Sequence, residues 1–470
     1  MNITHTAPSS VPDAHPAMHA AGTTETTALT SLLEDLASFW DTVAPYFPIA
    51  IAGTIVWGLW IYRFVLSRRA RPIWNDHRTT TSVIVPSFHE DPDILMRCLD
   101  SWRSQDPDEI IIVLDVEDLI AYDRITALGD SRLRPILFDH VGKRSALGAG
   151  IRQARFEVLV LTDSDTFWQP GLLRRVQMPF VDPLVGGVGT QQNVYQRNSS
   201  IWRKVADWLV NLRYYDYVPA MGRAGAVPIL SGRTAAYRRE AVLTVLDHLE
   251  NEFFLGKRCV AGDDGRLTWL VLASGYRTVH QSTARATSMF PATFRAFVKQ
   301  RVRWSRNSYR TYLTAAAKGW LWQVPFVTKV TVLQILLTPV TMGLTLFYLI
   351  FARLEPTPVG IAAAAAWLLV GRGIRGYSNL RRNPKDLLIL PVLTLTVIFI
   401  ALPVKLLAFV TMNRQGWLTR REGQIGGDGQ DAATVTERAA PAVVTVDERK
   451  VAPEGVPLDD REPEPKGVPA

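Results

Sequence analysis

Four long apolar runs set the limits on what this chain can become. Residues 47–66 are almost wholly apolar, and as a helix they are long enough to cross a hydrocarbon core of about 30 Å. Residues 330–351, 358–370 and 387–412 repeat the pattern far downstream, beyond a long polar stretch. Arg68, Arg69 and Arg71 follow the first run at once, while its N-terminal flank carries Glu34, Asp35 and Asp41. Cationic flanks stay in the cytoplasm. The expectation is a multi-pass protein of the cell (plasma) membrane with its N-terminus outside and the polar stretch inside. A buried core helix fails on length and on the charge asymmetry. Arg63 is near enough to the end of the run to snorkel. Runs 330–351 and 358–370 read as a hairpin with a short external turn, and Arg372, Arg375, Arg381, Arg382 and Lys385 mark its cytoplasmic end. Pro391 and Pro403 break the last run, which either spans or dips in and returns.

Residues 1–42 are rich in Ala, Thr, Ser, Pro and His, and residues 422–470 in Gly, Pro, Ala, Asp and Glu; both read as disordered. The first of these lacks the basic and short apolar regions of a secretory signal. A net charge of +8 suits nucleic acid or an anionic membrane. The basic clusters flank the apolar runs, so the lipid bilayer is the expected partner, with no nucleic acid and no obligatory protein partner evident. Cys98 and Cys259 both fall in cytoplasmic segments, which disfavours a disulfide framework, and no zinc spacing is present.

Residues 79–290 read as one soluble α/β domain. Residues 81–86 form a strand ending at a proline, 92–105 a helix, 109–114 a strand ending at Asp115, 134–138 a short strand, and 145–155 another helix. The apolar run 158–162 then stops at Asp163-Ser164-Asp165. Alternating strands and helices predict a parallel sheet, in which the loops carrying Glu90, Asp115, Lys143 and Asp163 share one edge. Ligands of such sheets bind beyond the strands' C-terminal ends.

On its own, an Asp-x-Asp pair is better explained as a turn. The converging loops lift it above that reading: two carboxylates there could hold Mg²⁺ or Mn²⁺, and through the metal a diphosphate. Neither a G-x-G-x-x-G nor a P-loop pattern occurs, so a dinucleotide enzyme or P-loop ATPase is disfavoured. Ser231-Gly232 permits close backbone approach to a ligand, although an ordinary loop is the simpler reading of that segment alone. Asp263 and Asp264 open a helix; Asp263 suits a cap and Asp264 could be a general base. Residues 294–312 are amphipathic and densely basic, fitting an interfacial helix on anionic lipid in which Arg301 and Arg303 capture phosphate and Trp304 offers a stacking platform. Interfacial helices are expected over 291–325, membrane segments over 329–412, and a basic, aromatic segment over 413–421.

In order, Val-Pro-Ser-Phe-His-Glu (85–90), Asp115, Gly-Lys-Arg (142–144), Asp-Ser-Asp (163–165), Ser231-Gly232, Gly-Asp-Asp (262–264), Gln-Arg-Val-Arg-Trp (300–304) and Trp-Leu-Thr-Arg (417–420) resemble the motifs of processive family-2 membrane glycosyltransferases. The resemblance covers roughly residues 47–421. It is closest to bacterial hyaluronan synthases, through residues 279–285 in particular, with rhizobial chito-oligosaccharide synthases and cellulose synthases as relatives. It implies a cytosolic GT-A type, Rossmann-like α/β domain inserted between transmembrane helices, a UDP-sugar donor, and a growing polysaccharide that leaves through the membrane. Phe88, Glu90 and Asp115 would then line the nucleotide pocket, with Lys143 on the pyrophosphate, Asp163 on the donor and Asp165 on the metal. Asp264 would be the base. Gln300, Arg301 and Arg303 would bind the diphosphate, and Trp304, with Ser231 and Gly232, the acceptor. Trp417, Thr419 and Arg420 would belong to a gating loop. The chain departs from the hyaluronan pattern in having Gly265 after the Asp pair, Arg301-Val302 after Gln300, and Leu418 in the gating motif. A non-processive transferase acting on a lipid, or a chitin- or cellulose-type synthase, is the alternative.

Overall fold

The computed structural model describes residues 47–139, 142–351 and 358–415, together with a helical piece at 30–31, 33–38 and 40. Residues 417–420, where the gating motif falls, lie outside the described residues, as do nearly all of 1–42 and all of 422–470.

At the centre is an eight-stranded sheet of β1 (Thr81–Ser87), β2 (Glu109–Leu114), β3 (Leu133–Leu137), β4 (Val158–Thr162), β5 (Thr166–Trp168), β6 (Val185–Val194), β7 (Thr234–Arg238) and β8 (Arg277–Ser288). Its spatial order is β3-β2-β1-β4-β7-β6-β8-β5. The first four are parallel neighbours. Edge strand β3 is half-buried, whereas β1, β2 and β4 are buried on both faces, as a strand covered by helices on each side requires: Ile84, Ile111, Leu159 and Leu161 enter one core, and Val83, Val85, Ile110, Ile112, Val158 and Val160 the other.

Beyond β4 the sheet is mixed, where the alternation of strands and helices predicts a parallel one. Strand β7 runs antiparallel to both β4 and β6, and β5 antiparallel to β8. The antiparallel insertion matters for function: the start of β7 lies beside the end of β4, with Thr162 opposite Thr234.

The helix α1 (Phe47–Arg69) precedes the sheet, and α2 (Phe326–Phe351) follows it. Arg63 does not snorkel. It is 2 % exposed and donates from Nη1 to Gln334 Oε1 at 2.7 Å, joining α1 to α2. A cation held this way by a neighbouring helix is the usual solution for charge in apolar surroundings. Residues 384–410 run continuously as helical turns despite Pro391 and Pro403. A π turn at Thr396–Ile400 lies just ahead of Pro403, where the missing proline N–H disrupts regular α bonding. Among the described residues, Phe326–Tyr348 and Pro384–Val410 are long and apolar enough to cross a bilayer.

The helices outside the sheet domain are joined to it by buried polar contacts. Ser67 donates to the backbone carbonyl of Asp216 at 2.9 Å, and Ser378 donates to its carboxylate. Arg197 bridges Asp207 and Asp386, and Asn211 donates to Asn379 Oδ1 at 2.7 Å. Burial raises the Asp216 carboxyl to about 6, against the lowering effect of Ser378 and Arg68.

Candidate active site

The Asp163-Ser164-Asp165 turn is fastened to the loop that enters β7. Thr162 Oγ1 donates to the Arg233 carbonyl at 2.8 Å, and the Asp163 N–H donates to the same oxygen at 3.4 Å. Because β7 is antiparallel to β4, this fastening carries Ser231 and Gly232 to the edge where β4 ends. A Cβ on Gly232 would lie 3.2 Å from Lys143 Nζ and 3.5 Å from both Asp263 Oδ2 and the Asp264 Cβ. The bare backbone therefore lets three chemistry-bearing side chains meet at one place.

Lys143 is the centre of that meeting. It begins the helix Lys143–Gln153, and its ammonium lies 2.8 Å from Asp163 Oδ1 and 3.1 Å from Asp263 Oδ2. Burial alone would lower the lysine pKa; the two carboxylates outweigh it and hold it above the ordinary value. Expected at a pyrophosphate, Lys143 here neutralises protein carboxylates. Asp263, expected as a cap, does not cap. Gly262, at φ +77°, takes the N-cap position of helix Asp263–Ala273, and the Asp263 side chain is spent on Lys143.

Asp264 lines the same cleft as Lys143, Asp163, Gly232, Asp263 and Tyr237. Its Oδ1 accepts the Gly265 N–H at 2.8 Å. Burial first, and then the charge of Asp263, raise its pKa above the ordinary aspartate value of 3.8, while Lys143 and Arg213 pull the other way. A carboxylate whose charge is disfavoured is a stronger proton acceptor once ionised, which is what a general base needs.

Glu90 and Asp115 follow adjacent parallel strands, β1 and β2. Glu90 is tied to the Asp pair through Ser164, whose Oγ donates to Glu90 Oε2 at 3.3 Å. Asp115 Oδ1 accepts the Glu117 N–H at 3.0 Å. Phe88 sits against His89 with ring centroids 4.3 Å apart. His89 occupies a left-handed conformation at φ 47°, held by its N–H to Asp118 Oδ2 at 2.8 Å. His89, Asp115 and Glu117 place ligand atoms within 4.8 Å of one another.

Gln300, Arg301, Arg303 and Trp304 lie on α-helix Phe294–Ala317. Between them and the Asp pair stands Arg233, to which the sequence reading assigns no role. Its guanidinium lies 3.9 Å from the Phe290 ring centroid and 4.9 Å from that of Trp304, and it feels the charges of Asp165 and Asp163. Phe290 meets Trp304 edge-on at 6.0 Å. The signal for Arg233 was its place next to Ser231-Gly232; only the antiparallel β7 turns that adjacency into contact with the Asp pair. Just before the gating motif, Gln415 docks on the loop ahead of Gly262, accepting the Val260 N–H at 3.0 Å and donating to the Arg258 carbonyl at 3.1 Å.

Residues 77–307 match the family described as "Glycosyltransferase like family 2". An N-acetylglucosaminyltransferase of Rhizobium leguminosarum bv. viciae is 29% identical over 385 residues, covering 78% of this chain and 87% of its own. One of Rhizobium meliloti is 29% identical over 395 residues, covering 79% and 89%. The hyaluronan synthase of Streptococcus pyogenes is more distant, at 25% over 388 residues, covering 80% and 91%. The rhizobial enzymes thus stand nearer than the hyaluronan synthase, the reverse of the order in the motif resemblance. Among solved structures, the mannosyltransferase PcManGT of Pyrobaculum calidifontis, in complex with GDP-Man and Mn²⁺, superposes with a TM-score of 0.53 at 21% identity, covering 75% of this chain and 98% of its own. That likeness is one of fold, the GT-A Rossmann-like α/β domain.

Proposed function

Because residues 77–307 form a family-2 glycosyltransferase domain, we propose that this chain is a membrane-embedded, inverting synthase. In this reading it adds N-acetylglucosaminyl units from a UDP-sugar to a growing β-glycan of the chito-oligosaccharide type. The observation that carries the reading is one cleft holding both an anchored donor-side cluster, Asp163–Lys143–Asp263, and a carboxylate of raised pKa, Asp264. A donor site alone would suit hydrolysis or simple binding; the adjacent base suits attack by an acceptor hydroxyl.

Asp264 removes the proton from the acceptor hydroxyl, whose oxygen attacks the donor's anomeric carbon as the nucleoside diphosphate leaves from the opposite face. Base assistance of this kind is worth about 10²–10⁴-fold, and orientation of the two sugars about 7–11 kcal/mol at best. Arg301 and Arg303 take up charge on the departing diphosphate. Phe88, Glu90 and Asp115 line the nucleoside end, and Trp304 stacks the acceptor sugar. Asp163 and Asp165 offer hard carboxylate oxygens one residue apart at a strand end, a donor set suited to Mg²⁺ or Mn²⁺. In this reading Asp165 is the principal ligand, beside Asp163, which meets Lys143 at 2.8 Å. Such an ion, when bound, supplies neutralising charge to the diphosphate.

Membrane residence is supported by the apolar surface of the helices after Trp304. Leu344, Phe347, Leu388, Phe399 and Val410 are all more than half exposed, an arrangement unsuited to water. A glycan made on the cytoplasmic side is too polar to cross a bilayer unaided, and in this reading these helices form its passage. Incubating the purified protein with Mg²⁺ or Mn²⁺ and UDP-GlcNAc, UDP-GlcA and UDP-Glc, singly and in pairs, tests the reading by UDP release and product size. UDP-GlcNAc alone is expected to give an oligosaccharide ladder. A need for UDP-GlcA as well would make the product hyaluronan, a single transfer to lipid would make the enzyme non-processive, and no UDP release from any donor would sink the proposal.

A further inference from the structure

Just ahead of the helix that carries Asp264, the chain makes an excursion that the cleft does not use. Phe253-Phe254 and Lys257-Arg258 pair antiparallel as a small hairpin. Its tip, Leu255-Gly256, has positive φ at both residues, 48° and 76°, as the tightest hairpin turn requires. That turn favours Asn, Asp or Gly, and a bulky residue at positive φ is strained. A leucine stands there all the same, and it packs on little: Leu255 is 72 % exposed and Phe253 64 %. Lys257 and Arg258 beside them are exposed as well. A two-stranded hairpin is marginal by itself in water, and leaving two large apolar side chains wet forgoes the stabilisation that burial supplies.

What covers the tip follows from where its base is held. Gln415 clips Arg258 and Val260, and it comes shortly after the apolar run Pro384–Val410. The stretch between is tied to the basic helix Phe294–Ala317: Arg306 Nε donates to Thr411 Oγ1 at 3.0 Å, and Arg310 Nη1 to the carbonyls of Met412 and Arg414. The hairpin therefore sits at the polar end of a lipid-suited helix. Its neighbourhood is cationic. Arg306 feels the charge of Arg414, whereas Asp247 and Glu250 are paired with Arg152, and Glu252 with Arg144 and Arg266. Resting on the membrane residence read above, we propose that the hairpin Phe253–Arg258 is a lipid-binding finger. Phe253 and Leu255 enter the acyl boundary of the cytoplasmic leaflet, and Lys257 and Arg258 hold anionic headgroups. Apolar side chains flanked by cations make an interfacial anchor, and the partner is an anionic phospholipid surface. The finger leads straight into Gly262-Asp263-Asp264, and Val260 accepts the Arg144 N–H at 3.4 Å, so its seating bears on the loop that delivers the base.

The test uses the full-length protein in nanodiscs, with a nitrobenzoxadiazole label on Leu255→Cys; Cys98 and Cys259 are buried. Leu255 is exposed, so the substitution leaves the core intact. A second variant, Leu388→Cys, puts the label on Pro384–Val410, where Leu388 is 84 % exposed. Quenching by doxyl-labelled phosphatidylcholine is followed as phosphatidylglycerol is titrated in. Both labels are expected to be quenched, the one at 255 more by a shallow doxyl group than by a deep one. Lys257→Gln and Arg258→Gln should each weaken the apparent affinity for phosphatidylglycerol, read from the label at 255, about fivefold. Quenching at 388 without quenching at 255 would overturn the finger. So would a blue-shifted but unquenched label at 255, which would put protein, a second copy included, over the tip. Quenching at 255 that ignores phosphatidylglycerol would overturn the anionic headgroups as partner. Absence of quenching at both positions is a different result and strikes the membrane reading itself.

Discussion

The two sides of the cleft handle charge in opposite ways. On the proposed donor side Asp163 and Asp263 share the Lys143 ammonium at 2.8 and 3.1 Å, so carboxylates and cation neutralise one another within the protein. On the proposed acceptor side Arg213, Arg301 and Arg303 keep buried N–H groups with no acceptor among the described residues. The first side is electrostatically closed before any ligand arrives, and a metal or diphosphate must compete for it. The second is open and favours anions outright. A protein can hold unsatisfied donors only where the surrounding packing fixes them. Here the Phe297 and Trp304 rings carry the Arg301 guanidinium, and the Tyr214 ring that of Arg213.

The sharpest way to break this comparison is to disable the group between the two sides. Asp264→Asn should lower kcat by about 10²–10⁴-fold while UDP affinity, measured by titration, stays near wild type. Near-normal turnover in the purified variant would remove Asp264 as the base. In the wild type the acid limb of kcat/KM should lie above the ordinary aspartate value of 3.8, because burial and Asp263 disfavour the ionised form.

Next in size is the closed side. Lys143→Met leaves Asp163 and Asp263 facing each other without their shared cation. Breaking a buried pair from one partner typically costs about 3–5 kcal/mol, readable as a fall in Tm. Saturating Mg²⁺ should return part of that loss if the freed carboxylates then hold the ion. A Tm indifferent to Lys143→Met would show that the donor side is not closed by this bridge.

The smallest expected effect lies outside the cleft, and asks whether the π turn Arg213–Tyr217 holds a third charge regime. Asp216 is 1 % exposed and its carboxyl is raised by burial to about 6. A raised acid favours folding most fully below its unfolded pKa, near 3.8, and that contribution is lost as pH climbs through about 6. The difference amounts to roughly 3 kcal/mol at most. Wild-type stability should decline across that window, and Asp216→Asn should flatten the decline. An unchanged slope would mean that the Arg68 and Ser378 contacts keep Asp216 charged throughout.

Much of this was legible in the residues. Apolar runs ending at Pro86, Leu114 and Thr162 announced a sheet, since a strand buried on both faces is so apolar, and Asp115 and Asp163, directly after the last two, announced the functional edge. Apolar run length located Phe326–Tyr348 and Pro384–Val410, the two helices among the described residues that are long and apolar enough to cross a bilayer. Less legible was anything that depended on a partner distant in sequence. Asp263 read as a cap because helix N-termini favour carboxylates, but Lys143, 120 positions away in the chain, outbid the local backbone. Arg63 read as snorkelling because its neighbours in sequence end there, yet Gln334 offered a closer polar partner on another helix.

The sequence by itself determined which chemistry was available: paired carboxylates at a strand end, a second pair opening a helix, and a basic, aromatic helix beside apolar runs. These follow from residue type and local periodicity. Tertiary structure alone decided which of them meet. The antiparallel β7 swings Arg233 and Gly232 onto the Asp pair, and the π turn at Arg213–Tyr217 brings a cation to the base's side. Strand direction and helical register are set by packing across the whole domain, and no local window of residues contains them.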